Sequence, residues 1–200
     1  MHVAILTFEG FNELDSLIAL GILNRIKQPG WQVSLASPSE TVTSMNGVLL
    51  HRQVPLDVIE TCEAVLVGSG INTREIAMDA DVMQMLARLD PARQLVGAQC
   101  SGTLLLAKLG LLDGVPSCTD LTTKPWVEEA GIEVLEQPFF AKVNIATSGG
   151  CLASIYLAAW TIARLAGREA AAEALHYVAP VGEKGAYVER AMGNIERYLS

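Results

Sequence analysis

The sequence predicts an α/β fold: a three-layer α-β-α sandwich around a mainly parallel, doubly wound sheet of the flavodoxin-like kind. Short apolar runs alternate with helix-spaced segments along all 200 residues, which is typical of such sheets. Half of the residues are hydrophobic, which suits a sheet buried on both faces. Residues 94–110 place Cys100 between an apolar run and a helix-spaced run, the pattern of a nucleophile elbow. Since no repeat or linker divides the chain, we expect residues 1–200 to form one domain.

The first third of the chain predicts a β-α-β unit followed by a hairpin. Val3 to Phe8 is an apolar run typical of a buried strand, and Asn12 is placed to cap a helix that begins at Glu13. Residues 31–36 then predict a second strand. Turn residues between 37 and 52 predict a small hairpin or edge strands.

The rest of the chain continues the alternation. Helices are predicted over 55–62, 79–89, 124–131, 150–165, 168–177 and 187–199, and strands over 64–67, 94–99, 116–119, 132–135 and 143–147.

The charge balance disfavours polyanionic partners. Lys plus Arg is 14 and Asp plus Glu is 22, so the net charge is −8. Nucleic acids and anionic membranes bind clustered cations, and this chain has no basic run. The first residues have no charged leader-type segment, and no apolar run reaches the length of a membrane span. We therefore expect a cytoplasmic protein with no nucleic-acid or membrane partner.

The four cysteines are Cys62, Cys100, Cys118 and Cys151. None forms a C-x-x-C pair, and their spacing does not indicate a zinc site. A disulfide framework is not expected in a reducing compartment. Each cysteine is therefore interpreted separately.

Cys100 is the candidate nucleophile. Ala98 and Gly102 flank it at two residues on either side, where an elbow needs small side chains. The start of the following helix would favour a thiolate. The alternative is a buried structural cysteine, since free cysteines often behave as small hydrophobic residues.

Other candidate residues follow other predicted strands. Because parallel strands end at one edge of the sheet, Asp15, the turn Gly68-Ser-Gly70 and Cys100 are expected to converge there. The turn and the N–H of Ser101 would bind a developing anion, or the turn is an ordinary glycine turn. Asp15 would act at the site, or complete a capping box with Asn12.

The three histidines, His2, His51 and His176, do not follow a strand end near the elbow. A thiol nucleophile is commonly activated by a neighbouring imidazole. A protease-like triad is therefore disfavoured.

Five blocks resemble the ThiJ/PfpI superfamily, which has a class I glutamine amidotransferase-like fold. They are Phe11-Asn-Glu-Leu-Asp-Ser-Leu17, Val67-Gly-Ser-Gly70, Gly97-Ala-Gln-Cys-Ser-Gly-Thr-Leu-Leu-Leu-Ala107, Leu111-Leu-Asp-Gly114 and Thr147-Ser-Gly-Gly-Cys-Leu-Ala153. Their order and spacing match over nearly the whole chain. The Leu-Asp context of Asp15 is most similar to the isocyanide hydratase and AraC-associated subgroup, here as a stand-alone domain.

The resemblance implies roles for individual residues. Cys100 matches the reactive elbow cysteine and Asp15 the acid that approaches its sulfur. Ser69, Gly70 and Ser101 match the oxyanion side, while Ile71 and Asp120 are expected in the pocket. Asp120 stands where many members have a histidine, which disfavours peptidase or amidase activity. Val67 stands where the usual proline precedes the turn. Members are usually homodimers, which implies a homodimer here.

The sequence thus predicts a cysteine-dependent hydratase or lyase that acts on a small electrophile, an isocyanide or a reactive carbonyl. In this hypothesis Cys100 is a thiolate nucleophile, and Asp15 holds or shares a proton as the acid/base. No metal or cofactor is needed. The alternatives are a redox-sensing or small-molecule-binding protein without turnover, with oxidation at Cys100, and a catalytically silent relative.

Overall fold

The computed structural model of the protein describes residues 1–199, and its centre is a mainly parallel sheet. The strands of this part of the chain are β1 (His2–Leu6), β2 (Gln32–Ser37), β3 (Thr41–Thr43), β4 (Leu49–His51), β5 (Val54–Pro55), β6 (Ala64–Val67), β7 (Leu95–Gln99), β8 (Phe139–Lys142) and β9 (Ile145–Ser148). Seven of them form one sheet in the order β5-β2-β1-β6-β7-β9-β8. Only the β8–β9 pair of this sheet is antiparallel, and β3 and β4 form a separate hairpin.

Helices cover both faces of the sheet. They are α1 (Glu13–Leu23), α2 (Thr73–Ile76), α3 (Ala80–Leu86), α4 (Gly102–Lys108), α5 (Lys124–Glu129), α6 (Ser154–Ala166), α7 (Arg168–Val178) and α8 (Lys184–Ile195). Apolar residues of α1, α6, α7 and α8 form one core with the sheet, and those of α3, α4 and α5 form the other. This confirms the predicted three-layer α/β sandwich.

The inner strands form because their apolar runs are buried on both faces. All four residues of β6 and all five of β7 are buried, as are Val3 to Leu6 of β1. A parallel strand between two helix layers has no solvent-facing side, so its sequence shows no alternation.

The winding of the sheet determines where a site can form. From β1 the chain winds in one direction to β2, and from β6 it winds in the other direction through β7 to β9. Such a reversal leaves a crevice at the carboxyl ends of the strands around β1 and β6. The segments that follow β1, β6, β7 and β9 therefore meet at this edge.

Several predicted elements differ in the structure. The predicted strands over 116–119 and 132–135 reduce to a single bridge between Ser117 and Val134. The strand β8 was not predicted, because the two-residue turn that joins it to β9 contains no glycine. Val143 has a φ of +57° in that turn, and Arg164 donates to its carbonyl oxygen at 2.6 Å.

Helix boundaries also differ. The segment predicted as a helix over 55–62 is a 3-10 turn over Leu56–Glu60. A second 3-10 turn, Cys151–Ala153, precedes α6, and α8 begins at Lys184 rather than at Tyr187. Among residues 1–199, no helix combines the length and apolarity that crossing a membrane requires.

Candidate functional site

Cys100 occupies a strained turn between β7 and α4. Its φ is +44°, a left-handed conformation that a residue with a Cβ adopts only where the surroundings enforce it. Its N–H donates to the Ser148 carbonyl oxygen at 2.8 Å, and its own carbonyl oxygen accepts from Thr119 Oγ1 at 2.8 Å. The chain therefore forms the elbow that the sequence predicts.

Gly102 allows this elbow to pack against the neighbouring strand end. A Cβ on Gly102 would lie only 2.6 Å from the Gly68 carbonyl oxygen. The first turn of α4 therefore lies directly against the turn after β6, which brings Cys100 close to Ser69.

Asp15 lies in the first turn of α1 and is fully buried. Its carboxylate accepts hydrogen bonds from the hydroxyl groups of Ser69 and of Ser154, the second at 3.1 Å. The Asn12 N–H, which a capping box would direct to this carboxylate, donates to the Ser69 carbonyl oxygen at 2.9 Å. The capping-box interpretation of Asp15 is therefore wrong, since the carboxylate faces the elbow.

Three acidic or nucleophilic groups meet at the elbow. A carboxylate oxygen of Asp15 and the Sγ atoms of Cys100 and Cys151 all lie within 4.8 Å of one another. Asn12 Nδ2 donates to Cys151 Sγ at 3.1 Å. One carboxylate and two thiols are also a donor set that a soft divalent metal ion can use.

The electrostatics of the site disfavour the thiolate that the sequence predicts at Cys100. Burial raises the pKa of the Cys100 thiol, and the negative charge of Asp15 raises it further. Burial also raises the pKa of the Asp15 carboxyl, but hydrogen bonds from Ser69 and Ser154 act in the opposite direction. Both shifts favour protonated groups, so burial and the charge of Asp15 oppose the thiolate that the start of α4 would favour.

The backbone N–H groups predicted to bind an anion, those of the turn Gly68-Ser-Gly70 and of Ser101, are only partly free to do so. The Gly70 N–H donates to Ser101 Oγ at 3.1 Å, and the same oxygen lies 2.8 Å from Thr73 Oγ1. Gly70 thus fixes the Ser101 side chain. The backbone N–H groups of Ser69 and Ser101 make no hydrogen bond to another residue within 1–199, which leaves them open to a ligand.

The elbow opens into a cavity of about 340 Å³. The predicted pocket residues Ile71 and Asp120 line it, and Ile71 is largely exposed at its rim. Asp120 Oδ1 accepts from the N–H groups of Thr122 and Thr123 at 2.9 and 3.0 Å, so it also shapes the segment before α5. The full lining is Asn12, Met45, Ser69, Gly70, Ile71, Cys100, Ser101, Asp120, Thr122, Thr123, Trp126 and Cys151.

No lysine, arginine or histidine is among these lining residues. Within residues 1–199, the site therefore combines a thiol pair, carboxylates, small polar groups and an apolar wall, without the imidazole of a protease-like triad.

Sequence reasoning did not assign Cys151, Ser154 or the Asn12 side chain to the site. A signal was present, since Gly149 and Gly150 follow β9 directly and precede the turn that leads into α6. The rule that strand ends converge applies to β9 as much as to β6 and β7. The three-dimensional contact with Asp15 is what distinguishes these residues from an ordinary helix start.

Fold and site together define an α/β protein with a nucleophile-elbow cysteine beside a buried carboxylate. The chain belongs to the DJ-1/PfpI family, whose sequence profile matches residues 1–164. No protein with a curated description matches the sequence significantly.

Solved structures share the fold. A variant of a DJ-1 superfamily protein from Salmonella typhimurium has 23% sequence identity and a TM-score of 0.76, over 88% of this chain and 97% of that chain. Drosophila melanogaster DJ-1beta has 20% identity and a TM-score of 0.78, over 88% and 96%. Oxidised Toxoplasma gondii DJ-1 has 21% identity and a TM-score of 0.76, over 88% and 97%.

Proposed function

We propose that this protein is a cysteine-dependent hydratase or lyase that acts on a small uncharged electrophile, an isocyanide or a reactive carbonyl. The observation that carries this proposal is the pair of Cys100 Sγ and the Asp15 carboxylate, which lie within 4.8 Å of each other. Cys100 lines a cavity, and Asp15 is buried behind it. The proposal places the chain functionally near the isocyanide hydratase subgroup of its family.

The Cys100–Asp15 pair shares a proton, and this assigns the roles. In this mechanism the proton is on Asp15 when Sγ attacks the electrophilic carbon. With an isocyanide, the S–C bond forms and Asp15 returns the proton to that carbon, which gives a thioformimidate. Water then adds to the same carbon, the nitrogen takes a proton, and the C–S bond breaks. The products are a formamide and the free thiol.

With a carbonyl substrate, the negative charge develops on oxygen instead. The open N–H groups of Ser69 and Ser101 flank the elbow and are suited to donate hydrogen bonds to this oxygen. Preorganised donors of this type stabilise the transition state because they need no rearrangement when charge develops.

The lining of the cavity favours an uncharged substrate. Asp15 and Asp120 place negative charge near the reacting sulfur, and no cationic side chain lines the cavity. Met45, Ile71 and Trp126 supply its apolar part. An anionic substrate would meet repulsion without a compensating partner.

Turnover of isocyanides and of 2-oxoaldehydes by the purified protein tests the proposal. The parent should be active, Cys100→Ala should lose at least about a hundredfold in kcat/KM, and Asp15→Asn should also be impaired. Cys118→Ala is the matched control, since Cys118 is buried but does not line the cavity. Equal rates for the parent and Cys100→Ala would disprove the proposal.

A second candidate function is redox sensing without turnover. The Toxoplasma gondii relative was described in an oxidised form, and here Cys100 lies in a cavity with two open N–H donors that suit a sulfinate. Intact-mass measurement after mild peroxide should then show oxidation of the parent but not of Cys100→Ala, and neither protein should turn over the test substrates.

We also propose a homodimer. Family members commonly form dimers. Exposed apolar side chains lie on α1 and beside it, namely Leu14, Leu17 and Leu152. A partner surface would remove these side chains from water, which is energetically favourable. Analytical ultracentrifugation should give a dimer for the parent and for Val181→Glu, whose residue lies in the exposed loop before α8, but a monomer for Leu152→Glu. A monomeric parent would contradict this proposal.

A further inference from the structure

We propose that Cys151 is a resolving cysteine: when Cys100 is oxidised by a hydroperoxide, the two residues form a reversible intramolecular disulfide. The observation is the separation of their Sγ atoms, which is at most 4.8 Å across the same cavity. This inference does not depend on the hydratase or lyase activity, because it requires only that the two sulfurs react with each other.

The geometry permits closure. A disulfide has an S–S length of about 2.05 Å, and a rotation about the Cα–Cβ bond of one cysteine moves its sulfur by a distance of the size required. Cys151 is half-buried and begins the 3-10 turn that follows Gly149 and Gly150. Its side chain is therefore not held inside the packed core, whereas Cys62 and Cys118 are.

Asn12 contacts the second sulfur at the cavity. The Asn12 side-chain amide donates to Cys151 Sγ at 3.1 Å from the start of α1, the helix that also carries Asp15. The open cavity gives a small hydroperoxide access to both sulfurs. Cys100 and Cys151, which both line the cavity, thus lie beside the buried proton acceptor Asp15.

The chemistry has two steps. Cys100 Sγ attacks one oxygen of the hydroperoxide, the O–O bond breaks, and the thiol proton passes through Asp15 to the leaving oxygen, which departs as water or an alcohol. Cys151 Sγ then attacks Cys100 Sγ, the S–O bond breaks, and the hydroxyl group leaves as water with the Cys151 proton. A dithiol reductant restores both thiols and is itself oxidised to a disulfide.

The disulfide would protect Cys100 from irreversible oxidation. A sulfenic acid without a neighbouring thiol is oxidised further to sulfinic acid, which thiols do not reduce. With Cys151 beside it, Cys100 is instead stored as a disulfide, so that nucleophilic activity is switched off reversibly under oxidising conditions.

Tryptic mapping without reduction tests the proposal directly. Cys100 lies in the peptide Gln94–Lys108 and Cys151 in the peptide Val143–Arg164, and each peptide contains a single cysteine. After mild hydrogen peroxide and blocking of free thiols with iodoacetamide, the parent should yield these two peptides as one linked species. The linked species should lack two hydrogen atoms and should disappear after treatment with dithiothreitol.

Three variants separate the proposal from its alternatives. In Cys151→Ser, the Cys100 peptide should gain two or three oxygen atoms that dithiothreitol does not remove. In Cys100→Ser, Cys151 should remain a free thiol, and Cys118→Ser should behave as the parent does.

Three outcomes would overturn the proposal. The parent accumulates oxygen on Cys100 while Cys151 stays free, the oxidation of Cys151→Ser is fully reversed by dithiothreitol, or the linked peptides come only from covalent dimers. Turnover of isocyanides or 2-oxoaldehydes is measured separately, so failure of one proposal is distinguishable from failure of the other.

Discussion

The substitution Asp15→Asn should make the Cys100 thiol easier to ionise. The carboxylate and the sulfur lie within 4.8 Å, so two unit charges there repel by about 3.5 kcal/mol at an effective dielectric constant of about 20. Removing one charge should therefore lower the pH midpoint of thiol alkylation by about 2.5 pH units. Burial, the largest cause of the raised pKa of Cys100, stays in place, so the midpoint should remain above that of an exposed cysteine.

The assay is the rate of iodoacetamide alkylation of Cys100 against pH, followed on its tryptic peptide. Asp120→Asn is the matched control, because the charge of Asp120 also raises the pKa of Cys100 but less than the charge of Asp15 does. Its substitution should move the midpoint in the same direction by much less. An unchanged or higher midpoint in Asp15→Asn would refute the electrostatic account of the site. Faster alkylation together with slower turnover would separate the proton-transfer role of Asp15 from its charge.

Three further predictions concern packing, stability and specificity. Gly102→Ala should lower the free energy of unfolding by about 1–3 kcal/mol, because its Cβ would lie 2.6 Å from the Gly68 carbonyl oxygen. Gly193→Ala in α8, whose Cβ would meet no atom within 4 Å, should raise it by about 0.5–1 kcal/mol. Equal thermal stability of the two variants would contradict this prediction. Because the pKa of Asp15 is raised in the folded protein, protonation of Asp15 favours folding. The Tm of the parent relative to that of Asp15→Asn should therefore fall as the pH rises above 3.8, the pKa of this carboxyl in the unfolded chain. A Tm difference that does not depend on pH would contradict this. Trp126→Ala should enlarge the apolar side of the cavity and raise kcat/KM for bulky isocyanides relative to small ones, and an unchanged ratio would place the substrate elsewhere.

The elements predicted best are those whose burial is uniform. The strands β1, β6 and β7 are apolar throughout because both faces are covered, so their pattern is independent of distant contacts. The elements predicted worst are those decided by a long-range partner. The segment 132–135 alternates like a strand but has only the bridge at Val134, and β8 exists because it pairs with β9.

The candidate site likewise has features set by local sequence and features set by distant residues. The elbow at Cys100 was predictable because a strand that turns at once into a helix leaves a local pattern of small residues. The raised pKa of the Cys100 thiol was not, since the helix start alone suggested a thiolate. Burial and the Asp15 charge raise this pKa, and both arise from segments far apart in sequence.

By itself, therefore, the sequence determined the α/β class, the parallel strands and the elbow, because each depends on the pattern of neighbouring residues. Only the tertiary structure decided that Asp15 faces the elbow rather than its own helix start, that the Gly70 N–H is already bonded, and that Cys151 lies beside Cys100. The physical reason is that hydrogen bonds and charge interactions act over a few ångströms in space, and residues 15, 100 and 151 reach that range only when the sheet is assembled.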